Sequence, residues 1–306
     1  MDASRSTPSD IIAAQAQQYT DDPLRTSDIL FELREKIPKE DSIWIVCVDN
    51  ALANLFLRQA EWRLAMGALD RILELIPAAT DYEADHRFSH VPDRQKVVSV
   101  LTTAYRCEIL SRQGRCLLQV GALPEVEQRF LSARTQWETM VESVNGFGKE
   151  LSQHVMIRTM PALLAANDGL FYFAKSNYEK AMECFTRATD HLRSHGTLIA
   201  KYRVEDWMGP TVAGSEMHHV LFSECINNIS LGFLYTCRMA DSVMILESLV
   251  REDPTAFLTE RVAFNLCTLY ELGSDSAGSA RRKRVLQLIA KRFFLHDIGP
   301  ESFRLT

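Results

Sequence analysis

One stretch of the chain, residues 162–195, constrains the fold more than any other, because small and aromatic side chains alternate in it at helical spacing. These side chains are Ala165, Gly169, Tyr172, Tyr178, Ala181, Phe185 and Ala188. Small residues let two antiparallel helices approach closely, and the rings fill the space around the contact. The stretch therefore predicts a helical hairpin with Gly169 and Ala181 at the helix crossing and Ala188 facing the next hairpin.

The same offsets recur along the chain, and they are those of the tetratricopeptide repeat, a helical hairpin of about 34 residues. Counted from residue 162, they place small residues at positions 8 and 20 and larger ones at positions 11 and 24. They also fit residues 46–79, 107–140 and 223–256, and part of 259–292. Because one segment fixed the offsets and others tested them, the sequence predicts an all-α fold, a right-handed solenoid of tetratricopeptide repeats with long connections.

The connections and the chain start are expected to differ from the repeats. Residues 1–22 are predicted to be a flexible tail, and residues 23–306 a single solenoid that opens with a short helix over 24–36. A polar loop is expected at 81–92, with Arg94 beginning an extension of the next helix.

Two further expectations concern the second half of the chain. Residues 196–222 contain several glycines and predict a long ordered excursion. In the last repeat, a loop at Ser274–Ser279 is expected to delay the second helix, which then runs from Arg282 to Arg292.

Composition and charge narrow the class of protein. With 46% hydrophobic and 24% charged residues the chain is predicted to fold as a soluble protein, and its net charge of −6 argues against nucleic-acid binding. No apolar run approaches the ~20 residues of a membrane span, and no secretory signal opens the chain. Seven scattered cysteines indicate a reducing compartment, so a cytoplasmic protein is expected.

No pattern for catalysis or for a cofactor is present. Phosphate-binding loops, nucleophile elbows and paired carboxylates are all missing from the sequence, so no enzyme is expected. His86 and His90 lie near Asp85 and Asp93 without a third clear ligand, and no metal site is predicted.

Candidate binding residues come from the first helix of each repeat, which lines the concave groove of a solenoid. They are Asn50, Asn54, Arg115, Leu163, Leu170, Phe173, Asn227, Leu231, Leu234 and Tyr235. The groove changes from polar in the first two repeats to apolar in the next two. An apolar groove of this size predicts a covering helix, which either this chain or a partner supplies. A carboxylate clamp for peptide ends fits only at Asn54, since Asn50 stands where a lysine is expected.

Residues 223–272 carry more than the generic pattern. The side chains that do so are Asn227, Asn228, Ile229, Ser230, Leu231, Leu234, Tyr235, Asp241, Ser242, Leu246, Glu247, Asp253, Pro254, Phe264, Asn265, Leu266, Thr268, Tyr270, Glu271 and Leu272. This run resembles the C-terminal repeats of the TRAPP (transport protein particle) complex subunit 12 family. The resemblance covers about 40–300 and departs at Cys237, where the family usually has glycine.

The resemblance implies a non-catalytic scaffold subunit of a vesicle-tethering complex. Such a complex acts as a guanine nucleotide exchange factor for a Rab GTPase in ER-to-Golgi or autophagy-related traffic. The implied partners are other TRAPP subunits, and the implied location is cytoplasmic, at ER–Golgi or Golgi membranes through the complex only. The alternative is a free-standing adaptor that binds peptides or helices, such as a chaperone co-factor.

A basic run at Arg281–Arg284 has three interpretations. We expect it to be the charged start of an amphipathic helix, and a localisation signal or a patch for acidic lipids are the alternatives.

Overall fold

The computed structural model describes residues 23–38, 42–76, 94–144, 154–194 and 214–303, and within these ranges no strand is present. The helices are α1 (Pro23–Lys36), α2 (Ser42–Arg58), α3 (Trp62–Leu75), α4 (Arg94–Gln119), α5 (Leu123–Val144), α6 (Val155–Ala174), α7 (Tyr178–Ser194), α8 (Gly214–Tyr235), α9 (Met239–Glu252), α10 (Pro254–Phe257), α11 (Glu260–Gly273) and α12 (Ser276–Arg292), followed by a 3-10 turn at Pro300–Phe303. The predicted tail at 1–22 and the predicted loop at 81–92 lie outside the described residues. The all-α prediction is confirmed.

Successive helices pair into hairpins as the repeat spacing predicts. The pairs are α2 with α3, α4 with α5, α6 with α7, α8 with α9, and α11 with α12. Four of the hairpin turns carry a left-handed residue at position 15: Ala60, Gly121, Ser176 and Cys237, with φ between 58° and 75°. The left-handed region favours residues without a bulky side chain, and all four are small. The fold is therefore of the tetratricopeptide-repeat class.

The close helix approach within a hairpin depends on a glycine and a phenylalanine. A Cβ atom on Gly114 would lie 2.2 Å from the ring of Phe130, and one on Gly169 would lie 2.5 Å from the ring of Phe185. Glycine at position 8 thus makes room for the aromatic ring at position 24, rather than only for the small residue at position 20. In the fourth hairpin Ser230 and Ser242 take positions 8 and 20, and their Oγ atoms are 2.8 Å apart.

The last hairpin differs from the prediction, because α12 begins at Ser276 and no loop spans Ser274–Ser279. The side chain of Asp275 accepts a hydrogen bond from the backbone N–H of Gly278 and caps the helix. Buried Ser279, Lys283 and Leu286 fall at positions 20, 24 and 27 when counting starts at Glu260. The repeat is therefore complete and begins one residue later than the sequence pattern indicated.

The other boundaries are closer to expectation. Helix α1 covers the predicted 24–36, and α4 begins at Arg94 as predicted. The predicted excursion at 196–222 is too long at its C-terminal end, because residues from Gly214 onward belong to helix α8. Its earlier part lies outside the described residues.

Two compact units are distinguished by their internal contacts. One ends at Met160 and the other comprises residues 161–194 and 214–303 of the described chain. In the first unit the buried carboxylate of Asp49 joins three helices, because it pairs with Arg34 of α1 at 3.1 Å and with Arg71 of α3 at 2.7 Å. In the second, residues of every helix from α6 to α12 contribute to one apolar core. The single solenoid over 23–306 stays a prediction.

Candidate protein-binding surfaces

The polar candidates of the first unit are held by hydrogen bonds between its helices. Asn50 donates to the Tyr105 hydroxyl, and the guanidinium of Arg112 donates to the side-chain oxygens of Asn50 at 2.8 Å and of Asn54 at 2.6 Å. Burial raises the pKa of Tyr105 further above its ordinary value. These amides fix α2 against α4, and the Asn54 oxygen already accepts a hydrogen bond from Arg112.

Two arginines accompany these amides. The guanidinium of Arg115 lies 3.8 Å from the carboxylate of Glu108, and Arg112 lies 3.9 Å from the same residue. The repeat pattern missed Arg112, because it stands at position 6, outside the positions taken to line a groove. The guanidinium group holds several N–H donors in a fixed planar arrangement, so Arg112 can bond to two asparagines that lie four residues apart.

The apolar candidates of the second unit are partly buried. Leu163, Leu170, Phe173, Leu231 and Leu234 all have intermediate exposure, and Leu170, Phe173 and Leu234 pack against the unit's own core. Asn227 is buried and accepts a hydrogen bond from Asn265 at 2.7 Å. Among the candidates in this unit Tyr235 alone is a largely exposed hydrophobic side chain, at 58%. The helix expected to cover these residues stays a prediction.

Three rings form an aromatic cluster at one end of the third and fourth hairpins. Tyr178 stacks on Tyr235 with centroids 4.7 Å apart and an interplanar angle of 12°. Phe173 meets both rings edge-on, at 5.1 Å and 5.5 Å. The cluster joins α6, α7 and α8 and leaves the outer face of Tyr235 in solvent.

The same side of the unit continues onto the last hairpin, which the sequence pattern missed. Arg261 of α11 pairs with Glu224 of α8 at 3.0 Å, and the Asn265–Asn227 hydrogen bond lies beside it. Phe264 and Leu272 share this face of α11 with Arg261, and both are exposed. No binding residue was predicted in the last repeat; counted from Glu260, Arg261, Phe264 and Leu272 take positions 2, 5 and 13.

The basic run at Arg281–Arg284 lies inside α12 and divides into internal and external side chains. Lys283 is buried and pairs with Glu271, and the guanidinium of Arg282 lies 5.4 Å from the centroid of the Tyr270 ring. Arg281, Arg282 and Arg284 are exposed, so Lys283 is the internal residue of the run.

Metal sites and membrane-spanning helices are both absent from the described part of the chain. No group of three or more His, Cys, Asp or Glu side chains there could hold a metal ion. No described helix combines the length and apolar character needed to cross a membrane. His86 and His90 lie outside the described residues.

The fold and these surfaces define a tetratricopeptide-repeat protein, a class whose stacked hairpins present extended faces to other proteins. No family model matches the chain. Trafficking protein particle complex subunit 12 of Mus musculus is 24% identical over 293 residues, covering 92% of this chain and 30% of the relative. The Homo sapiens protein of the same name is 23% identical over 293 residues, covering 90% and 32%. The chain thus spans about a third of the length of these relatives, and neither name describes an enzyme.

Two solved structures are similar at low identity. BtubC (BKLC) from P. vanneervenii has a TM-score of 0.46 and 11% identity, covering 95% of this chain and 94% of that one. The TPR2AB domain of yeast Sti1, in a pHSP90 complex, has a TM-score of 0.31 and 13% identity, covering 97% of each chain.

Proposed function

We propose that this protein is a non-catalytic scaffold subunit of a TRAPP-type complex. The observation that carries the proposal is the similarity to trafficking protein particle complex subunit 12, which extends over nine-tenths of this chain. The finer proposal is that the complex acts as a guanine nucleotide exchange factor for a Rab GTPase in ER-to-Golgi or autophagy-related traffic. The protein would then work in the cytoplasm, at ER–Golgi or Golgi membranes.

Several residues that resemble the TRAPP subunit 12 family form hydrogen bonds in the last two hairpins, and these bonds support the proposal. Asn227 pairs with Asn265, and the Tyr270 hydroxyl donates to Glu247 at 3.0 Å, so both contacts join the fourth hairpin to the fifth. Asp253 accepts hydrogen bonds from the backbone N–H groups of Thr255 and Ala256 and caps α10. These side chains set how the last hairpins stack, and stacking decides the shape of the surface offered to a partner.

The surface we assign to partner subunits is the side of α8 and α11 that carries Tyr235, Phe264 and Leu272. All three side chains are exposed, and the Arg261–Glu224 ion pair lies on the same side. Aromatic residues and arginine are enriched at protein-binding surfaces, and Tyr235, Phe264 and Arg261 supply them here. The partly buried apolar candidates would lie beneath this surface and hold its helices in place: Leu163, Leu170, Phe173, Leu231 and Leu234.

A mild affinity purification of the tagged chain from cells, followed by mass spectrometry, tests the proposal. TRAPP subunits should be recovered, and the double variant Tyr235→Glu/Phe264→Glu should lose them without loss of helicity. Met244→Glu is the matched control, since Met244 is an exposed apolar residue of α9. Absence of every TRAPP subunit from the wild-type purification would overturn the proposed function.

A second function, that of a free-standing adaptor for peptides or helices, is favoured by the aromatic cluster. Its exposed ring, Tyr235, rests on Tyr178 and Phe173, and rigid aromatic platforms bind extended peptides. This function predicts binding of short peptides by the isolated chain. Tyr235→Ala should abolish that binding and leave the circular dichroism spectrum unchanged, because Tyr235 is the exposed ring of the cluster.

A further inference from the structure

The charge of α12 sets it apart from the rest of the chain. It carries six basic residues and no acidic one, Arg281, Arg282, Lys283, Arg284, Lys291 and Arg292, within a chain of net charge −6. Lys283 faces inward, to Glu271, whereas Arg282 is exposed and its guanidinium lies 5.4 Å from the centroid of the Tyr270 ring. Arg281, Arg284, Lys291 and Arg292 are exposed. An anion placed against this helix would meet four cations.

Apolar side chains lie among these cations. Val285 and Leu288 are exposed, Leu288 at 64%, and helical spacing puts them on one face with Arg281, Arg284 and Arg292. The equivalent positions 26 and 29 carry Arg187 and Asp190 in α7, and Ser248 and Arg251 in α9. These two outward positions are thus polar in the two earlier hairpins of this unit and apolar in the last.

The end of α12 adds two phenylalanines. Phe293 is exposed, and Phe294 is 76% exposed with a φ of 57°, a left-handed conformation that disfavours a bulky side chain. The N–H of Leu295 then bonds to the carbonyl of Ala290 at 3.0 Å, and Leu295 packs against the core. Phe294 therefore gains neither burial nor a preferred backbone geometry. A strained and exposed aromatic residue points to a role outside the fold.

We propose that the outward face of α12, together with Phe293 and Phe294, binds the surface of an anionic lipid bilayer. Arg281, Arg284, Lys291 and Arg292 would meet lipid phosphates and carboxylates, while Leu288 and Phe294 enter the boundary between headgroups and acyl chains. A bilayer fits better than an acidic protein helix, because the exposed side chains lie on a single helix and its end and combine a basic face with Leu288 and Phe294, which is the composition of a helix that lies in a membrane interface. This contact is independent of any partner subunit, so it does not rest on the proposed function.

Vesicle flotation of the purified full chain tests the proposal. Vesicles of phosphatidylcholine are compared with vesicles that also contain about 30% phosphatidylserine, at low and high salt. We expect several-fold more bound protein on the anionic vesicles, and release as salt screens the charges. Arg281→Glu/Arg284→Glu should lower binding at least about 30-fold, and Phe294→Gly should lower it without loss of thermal stability.

The matched control is Arg63→Glu/Arg251→Glu, which makes the same charge change at exposed arginines of α3 and α9. It should retain most of the binding. Equal binding to both vesicle types, or an equal loss in the control, would overturn the proposal. A third result would also overturn it: the α12 variant still binds vesicles but loses a protein that co-purifies with the wild type. The face would then be a protein interface. The α12 variant should still recover TRAPP subunits in the affinity purification, so a failure of vesicle binding can be distinguished from a failure of the proposed function.

Discussion

Gly169 and Gly67 are both helical glycines, yet a methyl group should have opposite effects at the two positions. At Gly169 it would lie 2.5 Å from the Phe185 ring, whereas at Gly67 its nearest neighbour is the end of the Arg71 side chain at 3.8 Å. Gly169→Ala should lower the free energy of unfolding by about 2 kcal/mol through overpacking. Gly67→Ala should raise it by about 0.5–1 kcal/mol through helix propensity. Urea denaturation measures both, and equal effects would contradict the assigned helix crossing.

Cys237 should be the reactive thiol of the folded chain. None of the seven cysteines forms a disulfide, six are buried, and Cys237 is exposed at a hairpin turn. Burial raises the pKa of Cys107 and Cys225 to about 12, so their thiolates are scarce at neutral pH. An aromatic disulfide reagent should label one thiol rapidly, and Cys237→Ser should remove that phase. Labelling of the other thiols should require a denaturant.

Within the last hairpin, Lys283 takes the position that Phe130 and Phe185 occupy in earlier ones. It is buried and pairs with the partly exposed Glu271. Glu271→Ala should destabilise the protein by about 2 kcal/mol, because it leaves a buried cation without that carboxylate. Lys283→Met, which removes the charge and keeps the length, should match or exceed wild-type stability. Thermal denaturation compares the two variants, and a larger loss in Lys283→Met would contradict the argument.

The elements could be predicted from sequence wherever small and large residues alternate at the repeat offsets, because that spacing reports how two helices pack. The start of α12 could not. Ser274–Ser279 has the composition of a loop, and only the side chain of Asp275, bonded to Gly278, converts it into a helix start.

The same limit applies to the candidate surface. Offsets place Asn50 and Asn54 on one face, but the arginine that binds them comes from another helix. Partial burial of Leu170 likewise depends on packing between elements.

For the whole molecule, the scaffold proposal predicts an absence of catalysis in isolation. The purified chain should leave the rate of nucleotide exchange on a Rab GTPase unchanged, because the proposal assigns exchange to a complete complex. A fluorescent-nucleotide release assay measures this rate, with a complete TRAPP complex as the positive control. Robust acceleration by the chain alone would overturn the scaffold role.

Stacked hairpins also determine how such a chain reaches its native state. The main helix contacts among the described residues join elements that are close in sequence, such as α8 with α7 and α9, and α11 with α9 and α12. Local contacts require little loop closure before they form, and chains rich in them fold rapidly. Within each unit, a hairpin can therefore complete its packing as it leaves the ribosome, using surface that the preceding hairpin of the same unit has already formed.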